Sequence, residues 1–295
     1  MIRNFRRFTC IALALLLTAF AFAGCSAGGN DAVATDSPSS GDQVTIEGIK
    51  QKGELHVVTE VAFEPFEYYD TDGTTVIGYG KDILDYICED LGVKLVQDDL
   101  PWQGCLPALE AKKCDFLATS VGYTKERAEK YNLTIPIAES TVVLIKRADD
   151  DSIKDVNDMQ GKIVGSQNGC SQWEALEAFN DKLKAEGGTG YAEEKLYTAF
   201  SEAYLELKNG VIDCVAQSVT NANVLIKNNP GVYEIVGEIG AKNYFSWACR
   251  KEDKELVEYL NSIIKEMKEN GKLDELQEKW LGAASELPDE FVPES

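Results

Sequence analysis

The segment ILDYICEDLGVKLV, residues 83–96, decides the fold class because its hydrophobic period changes part-way along it. From Ile83 to Leu91 the apolar residues recur at helical spacing, and Gly92 is the residue type that most often follows a helix. Residues 93–96 are then an apolar run of strand length. The segment therefore predicts a helix that is followed directly by a buried strand.

The neighbouring segments extend this pattern in both directions. Residues 55–58 are an apolar run of strand length, Leu106 and Leu109 lie at helical spacing, and residues 116–118 predict a third strand. Strand, helix, strand, helix and strand in this order favour a mostly parallel sheet covered by helices. The predicted fold class is α/β.

The same pattern starts again in the second half of the chain. Residues 162–164 predict a strand, residues 171–186 a helix, and residues 211–216 a further strand. We expect Ser201 to cap a short helix before the last of them. The repeat indicates two lobes of one architecture. Two helical stripes after residue 255 complete the chain, and either lobe could carry them.

The N-terminus has the parts of an export signal. The first residues include arginines. Residues 11–22 then form an uncharged apolar run that is too short for a typical membrane-spanning helix. Small residues then precede Cys25, an arrangement that resembles the bacterial lipoprotein signal. The resemblance implies that residues 1–24 are removed and that Cys25 is acylated, with palmitate as the expected chain. The alternative is an ordinary signal peptide with an incidental cysteine.

Residues 25–43 are small and polar, which predicts a flexible tether. The folded body begins at about Val44 and has about 250 residues, enough for one large domain or two small ones. None of its segments is apolar enough to span a membrane. We therefore expect a protein outside the cytoplasm whose contact with the bacterial cell membrane is its lipid anchor alone.

The charge balance excludes one class of partner. The chain has 29 Lys and Arg against 50 Asp and Glu, and loss of the three signal arginines leaves a net charge of about −24. Such a surface repels phosphate backbones, so nucleic-acid binding is not expected. It suits a soluble extracytoplasmic protein.

The chemistry of most cofactor and metal sites is missing from the sequence. His56 is the only histidine, which argues against a Ser-His-Asp triad and rules out multi-histidine metal sites. There is no nucleotide-binding glycine motif, so we predict no cofactor and no metal. An enzyme based on carboxylates or lysines remains possible. The six cysteines of the body make no C-x-x-C pair, and either disulfides or buried thiols would explain them.

Ligands of open α/β sheets bind outside the carboxyl ends of the strands. The residues that follow the predicted strands are polar and hydroxyl-rich, with one guanidinium and several aromatic rings among them. They lie in the segments 59–66, 119–127, 165–171 and 217–218.

Several motifs within and around these segments resemble one family. They are FEPF at 63–66, GYGKD at 78–82, WQGCLPAL at 102–109, TKER at 124–127 and GSQNGCSQ at 165–172, with IKNNP at 226–230 and KWLG at 279–282. Their order and spacing resemble the polar amino acid family of solute-binding proteins, the extracytoplasmic receptors of ABC importers.

The resemblance implies a two-lobed, type II periplasmic-binding-protein-like fold with a two-strand hinge. Residues 44–141 and 239–295 would form lobe 1, and residues 142–238 would form lobe 2. The expected protein is a monomer that binds an amino acid or related carboxylate and delivers it to ABC permease subunits. The expected ligand-binding residues are Glu60, Phe63, Trp102, Thr119, Ser120, Gly122, Arg127, Cys170, Ser171 and Ser218.

The resemblance also gives several of these residues roles. Arg127 would clamp the ligand carboxylate with its guanidinium fork, and Ser171 would face the same carboxylate from a helix start. Thr119 and Ser120 would bind the ligand's polar groups. Phe63 and Trp102 would sandwich its side chain. The alternatives are an exposed ion pair of Arg127 with Glu126 or Glu129, a plain helix cap at Ser171, and core packing of the two aromatic rings.

Three positions depart from the family pattern. Ser218 stands where the family has an Asp that pairs with the ligand's α-ammonium group, Gly122 where it often has a hydroxyl, and Gly80 where it has the first Asp of a helix-start element. A buried ammonium needs a counter-charge. Either Glu60 supplies that charge, or the ligand carries no α-ammonium group.

Two other functions remain open. Some relatives of this fold dehydrate cyclic acids, and a cyclohexadienyl dehydratase-like enzyme would use Glu60 as its general acid. A sensor protein that signals through a separate partner is the other alternative, since fold alone does not fix function. The expectation is that the chain is not an enzyme.

Overall fold

The computed structural model describes residues 43–293, and these residues belong to one compact unit. The expected signal peptide, the expected lipidation site Cys25 and all but the last residue of the expected tether lie outside the described residues. Within the described range, the helices are all too short or too polar to cross a membrane.

The described residues form both strands and helices, and the predicted helix and strand of residues 83–96 are among them. The helices are Ile46–Lys52 (α1), Tyr79–Leu91 (α2), Trp102–Glu110 (α3), Lys125–Lys130 (α4), Ser171–Ala185 (α5), Phe200–Lys208 (α6), Val219–Asn228 (α7), Lys254–Glu269 (α8) and Lys272–Leu281 (α9), with a 3-10 turn at Val156–Met159. The strands are Glu54–Thr59 (β1), Ala62–Phe63 (β2), Glu67–Tyr69 (β3), Val76–Ile77 (β4), Lys94–Asp99 (β5), Phe116–Gly122 (β6), Tyr131–Leu133 (β7), Ala138–Glu139 (β8), Val142–Arg147 (β9), Ile163–Gln167 (β10), Glu193–Tyr197 (β11), Cys214–Ser218 (β12), Tyr233–Glu238 (β13) and Tyr244–Arg250 (β14).

The segment that decides the fold class forms α2 and β5. The helix buries Ile83, Leu84, Ile87, Cys88 and Leu91 on one face. Gly92 follows with φ of 69°, and its N–H bonds to carbonyls of the last turn. A left-handed residue of this kind ends a helix without steric cost in glycine. The chain then enters β5, which pairs in parallel with β1.

The strands form two main sheets. The first has the order β5-β1-β6-β14-β7, with β8 also paired to β14. Strands β5, β1 and β6 are parallel, and β14 joins them antiparallel. The second has the order β11-β10-β12-β9-β13, in which β11, β10 and β12 are parallel. A small sheet of β2, β3 and β4 lies beside the first.

The chain passes twice between the two main sheets. The first passage runs through Ser140 and Thr141, and the second runs through residues 239–243. The N–H of Ser140 donates to the carbonyl of Asn243 at 2.8 Å, and the N–H of Asn243 donates to Oγ1 of Thr141 at 3.4 Å. The passages are thus neighbouring segments, in agreement with the predicted two-strand connection.

The C-terminal helices belong mainly to the first sheet. Helix α8 packs on β14 and α1, and α9 packs on α8 and α2 with a further contact to α7. The indole of Trp280 donates to Asp82 at 2.7 Å. The chain then runs back so that the ring of Phe291 packs edge-on against Tyr123 and Tyr244, at centroid distances of 5.1 and 4.9 Å.

Two local predictions are wrong in their details. Strand β6 continues to Gly122 instead of ending at residue 118, because it lies in the middle of its sheet and Gly122 still pairs with Phe245 of β14. Helix α6 begins at Phe200, so Ser201 does not cap it. The Glu202 carboxylate instead accepts the N–H groups of Thr198 and Ala199 ahead of the helix.

The six cysteines of the described residues are free thiols, and all are buried. They are Cys88, Cys105, Cys114, Cys170, Cys214 and Cys249. The sequence left open whether these cysteines form disulfides or are buried thiols, and in the structure they are buried thiols. His56 lies on β1 and its Nε2 is 2.9 Å from Asp98 on β5, a cross-strand partner that explains its place in the sheet.

Candidate functional site

A small cavity lies between the carboxyl ends of the strands of the two main sheets. The first sheet, the small sheet beside it and the segments that follow their strands contribute Glu60, Phe63, Trp102, Ser120, Gly122 and Arg127. The second sheet and the segment that follows β10 contribute Gln167, Cys170, Ser171 and Gln172. The predicted residues Thr119 and Ser218 do not line it. The remaining predicted site residues are brought together from segments up to about 110 residues apart in the sequence.

Arg127 is a buried cation on the cavity wall. The hydroxyl of Thr124 accepts the N–H of Arg127 and so starts helix α4. The guanidinium donates to the carbonyl of Gly122 at 2.9 Å and, from the other sheet, to the carbonyl of Gly169 at 3.0 Å. Its ion-pair partner is Glu174 of α5, at 3.4 Å. The alternative of an exposed ion pair is wrong, since Arg127 is 6% exposed.

An aromatic ring covers this guanidinium. The Cζ atom of Arg127 lies 5.2 Å from the ring centroid of Trp102, within the range of a cation–π contact. The indole N–H of Trp102 donates to the carbonyl of Gly169 at 2.9 Å. Burial lowers the pKa of Arg127, and the negative charge of Glu174 opposes that effect. These contacts hold the guanidinium in place on the cavity wall.

The start of α5 faces Arg127 across the cavity. Cys170, not Ser171, is the capping residue, and its sulfur accepts the N–H of Trp173 at 3.3 Å. Ser171 is the first residue of the helix and donates through Oγ to Gln172 at 3.3 Å. The free N–H groups and the dipole at a helix start favour an anion. Arg127 and the first turn of α5 thus form an anion-binding corner.

Glu60 provides the opposite charge. It follows β1 directly, is 5% exposed, and accepts a hydrogen bond of 2.5 Å from Nε2 of Gln167 on the second sheet. Burial is the main reason that the pKa of Glu60 is raised to about 7; the bond from Gln167 opposes this effect, and the charge of Asp99 adds to it. The hydroxyl of Thr119 accepts the N–H of Glu60 at 3.4 Å, so Thr119 helps to position Glu60 although it does not line the cavity.

The comparisons with known proteins identify the family of the chain. Residues 55–283 match the family of bacterial extracellular solute-binding proteins, family 3. The chain belongs to this family.

Three similar proteins are named as binding proteins. The L-cystine-binding protein TcyA of Bacillus subtilis (strain 168) is 30% identical over 273 residues, which cover 92% of this chain and 96% of the relative. An ancestral arginine-binding protein bound to arginine superposes with a TM-score of 0.70 and 32% identity, over 77% of this chain and 98% of that chain. The ancestral amino acid-binding protein AncCDT-1, a precursor of cyclohexadienyl dehydratase, superposes with a TM-score of 0.72 and 26% identity. The match covers 80% of this chain and 99% of that chain.

Ser218 is a helix cap in this family 3 protein. Its hydroxyl accepts the N–H of Asn221 at 3.2 Å and so starts α7. The side chain of Asn221 then donates to the carbonyl of Glu64 in the loop after β2, at 2.6 Å. The position at which the resemblance expects an acidic group therefore stabilises the start of α7 and, through Asn221, the contact of α7 with the loop after β2.

The sequence interpretation did not single out Gln167 and Gln172. Gln167 ends β10 and Gln172 lies in the first turn of α5, in the segment whose glycines and hydroxyls drew attention, and both are 2% exposed. A buried amide next to a predicted strand end was the signal available for finding them. With these two residues the second sheet supplies hydrogen-bond donors to a cavity whose only acidic lining residue is Glu60.

The cavity is tightly closed. Its volume is about 10 Å³, close to the space of a single water molecule. Its walls come from both main sheets and are joined by the bonds of Gln167 to Glu60 and of Arg127 to Gly169. An amino acid can enter only when these walls move apart.

Proposed function

We propose that this chain is an extracytoplasmic binding lipoprotein for an amino acid or related carboxylate, that it delivers this solute to an ABC permease, and that it performs no catalysis. The observation that carries the proposal is the pair of opposite buried charges, Arg127 and Glu60, on one cavity between the two sheets. These are the complements of the carboxylate and ammonium groups of an amino acid.

In the proposed complex the ligand carboxylate binds the fork of Arg127 and the first turn of α5. The fork offers two parallel donors in the geometry of a carboxylate. The α-ammonium group binds Glu60, which replaces the acidic group that the resemblance expects at Ser218. The acidic partner of the ammonium group then comes from the first sheet, at Glu60, instead of from the second sheet, at Ser218. The first turn of α5 still binds the ligand from the side of the second sheet.

The relatives support the amino acid class. TcyA is named for L-cystine, and the ancestral arginine-binding protein was solved with arginine bound. For the protein as a whole we propose removal of residues 1–24, lipidation of Cys25, a tether to residue 43, and a monomeric body. Lobe 1 comprises residues 44–141 and 239–295, and lobe 2 residues 142–238. Movement of the lobes about the two-strand connection would report the bound ligand to the permease.

A thermal-shift and calorimetric screen of residues 42–295 tests the proposal. The compounds are standard amino acids, their deaminated analogues, organic acids and short peptides, and Arg127→Ala is the matched variant. A ligand at a hundred times its Kd adds about 2.7 kcal/mol of stability. We expect a standard amino acid to bind, its deaminated analogue to bind much more weakly, and Arg127→Ala to lose both. Equal affinity for the amino acid and its deaminated analogue would show that Glu60 does not bind an ammonium group of the ligand.

One observation favours a second function. AncCDT-1 is described as a precursor of a dehydratase, and a carboxyl group with a pKa of about 7, as in Glu60, suits a general acid at neutral pH. Incubation with a cyclohexadienyl acid, followed by detection of the aromatic product, tests it. Turnover that disappears in Glu60→Gln would replace the binding function with the enzymatic one.

A further inference from the structure

Helix α7, which packs on the second sheet, presents one of its faces to the loop after β2. Positions 221, 224, 225 and 228 are spaced by three and four residues, which places them on one side of a helix. Asn221, Val224 and Leu225 line a common space with Glu64 of that loop. An asparagine thus lies at each end of this face, Asn221 in the first turn and Asn228 as the last residue of the helix.

Both asparagines donate hydrogen bonds to Glu64. Nδ2 of Asn221 donates to the backbone carbonyl of Glu64 at 2.6 Å, and Nδ2 of Asn228 donates to its carboxylate Oε1 at 2.9 Å. The two donors are about two helical turns apart, roughly 10 Å along the axis. One residue beside the first sheet is therefore held at two points by one helix of the second. We call these two bonds the Glu64 latch.

Ser218 orients the buried half of the latch. Its hydroxyl accepts the N–H of Asn221 and donates to the Oδ1 of the same residue. Because Oδ1 of Asn221 is bonded to Ser218, its Nδ2 faces Glu64. Ser218 is fully buried and Asn221 is 2% exposed, so water does not compete for the amide. The position at which the resemblance expects an acidic partner for the ammonium group serves the contact between the sheets in this chain.

The Glu64 latch lies outside the cavity. Glu64, Asn221 and Asn228 are all absent from the residues that line it, so a solute in the cavity does not touch them. The walls of the cavity come from both sheets and must move apart before an amino acid can enter. That movement shifts α7 relative to the loop after β2, and the two bonds form again when the walls close.

We infer that Asn221 and Asn228 are positioning residues that hold the two sheets together around a bound solute through Glu64, and that they slow its release without selecting it. This inference rests on the proposed function, because it requires a solute that binds between the sheets. The bonds are made after the solute has entered. They therefore act on the dissociation rate constant and leave the association rate constant unchanged.

Alanine variants of the two asparagines test the latch. Asn228 is exposed, so Asn228→Ala carries little risk to folding and should speed dissociation by about threefold to fivefold. Asn221→Ala should speed it by about tenfold, because the carbonyl of Glu64 then loses its donor inside the closed contact. Asn223→Ala is the matched control, since Asn223 is an exposed asparagine on the opposite face of the same helix.

The measurement is stopped-flow kinetics on the protein used in the screen. The probes are the standard amino acids and L-cystine, and rate constants are compared for each of them that binds. Every bound amino acid should dissociate faster by the same factor, so the order of their affinities should not change. A change in that order would mean that this face of α7 contacts the solute, and the inference would be wrong.

Variants of Glu64 separate the hydrogen bond from the charge. Glu64→Gln keeps Oε1 as an acceptor for Asn228, so dissociation should stay within about twofold of the unmodified rate. Glu64→Ala removes the acceptor and should match Asn228→Ala. The double variant should equal either single one, because all three lose the same bond. Dissociation from Glu64→Gln that is as fast as from Glu64→Ala would assign the effect to charge and overturn the latch.

The outcomes keep the two proposals apart. If amino acids bind but leave Asn228→Ala and Asn221→Ala at the unmodified rate, the latch is wrong and the proposed function stands. Should Asn221→Ala fail to fold, Asn228→Ala and the two Glu64 variants decide the question. If no amino acid binds the unmodified protein, the proposed function fails and the latch fails with it.

Discussion

Gly122 and Ser171 approach each other so closely that a Cβ atom built on Gly122 would lie 2.0 Å from Oγ of Ser171 and 2.7 Å from its Cβ. Gly122 ends β6 of the first sheet and Ser171 begins α5, which packs on the second sheet, so the contact crosses the cavity. A hydroxyl residue at position 122, which the resemblance expects, would hold the sheets apart. The absent side chain at Gly122 thus permits the close approach of α5 to Arg127.

We therefore expect Gly122→Ala to weaken ligand affinity by about tenfold or more, because closure must then displace the start of α5. Calorimetric titration with the best ligand of the screen measures the change. Gly104→Ala is the control, since its Cβ would meet only Leu100 at 3.7 Å and alanine is favoured within a helix. An unchanged affinity in Gly122→Ala would show that the ligand complex is more open at this point.

Arg127 should not be replaceable by lysine. The guanidinium makes two carbonyl bonds and lies over Trp102, and an ammonium group cannot reproduce the planar fork. Arg127→Lys should lose about tenfold or more in affinity, and Arg127→Ala should lose more. The exposed neighbour Lys125, changed to Ala, should bind normally. Equal affinity for Arg127→Lys and the unmodified protein would mean that a point charge suffices.

Ligand affinity should depend on the ionisation of Glu60. Its pKa is about 7 in the protein, so the carboxylate that would pair with the ammonium group is protonated below that pH. Affinity should be full at pH 8 and should fall by up to about tenfold per pH unit well below pH 7. Titrations at pH 6 and pH 8 measure the slope. Glu60→Gln should bind weakly with a flat profile, and a slope that persists there would assign the titration to another group.

Glu67 should make the protein less stable as the pH rises. Within the described residues both of its carboxylate oxygens are buried without a hydrogen-bond partner, and burial together with the charge of Glu60 raises its pKa well above 4.5. The folded state therefore binds a proton that the unfolded state releases above pH 4.5, so stability falls as the pH rises above that value. Glu67→Met should raise the Tm at pH 8 and change it less at pH 4.5. A decrease at pH 8 would contradict this account.

The segment after α9 should contribute to stability through Phe291. Its ring packs between Tyr123, directly after β6, and Tyr244, at the start of β14. Phe291→Ala should cost about 2 kcal/mol of the free energy of unfolding, as expected for a half-buried ring with two aromatic partners. Denaturant titration measures it. Val292→Ala is the control because Val292 is 83% exposed, and equal losses for both variants would argue against a specific contact of the ring.

Local sequence was sufficient to predict most of the helices and strands and the edge of the sheet that carries the candidate site. The period of residues 83–96 and the position of Gly92 predicted α2 and β5, because helix and strand periods are short-range properties of the chain. The rule that ligands lie beyond strand ends pointed to Glu60, Ser120 and Arg127. Strand β6 ran further than predicted, since cross-strand pairing with β14 outweighed its polar residues.

The sequence by itself determined that the chain forms two α/β lobes and which strand ends face the cleft between them. The tertiary structure alone decided the partners across that cleft: Gln167 with Glu60, Glu174 with Arg127, and Ser171 against Gly122. Sequence period reports which face of an element is buried, but not which distant element buries it. These contacts join residues far apart in the chain, and only the packing of one sheet against the other brings them within hydrogen-bonding distance.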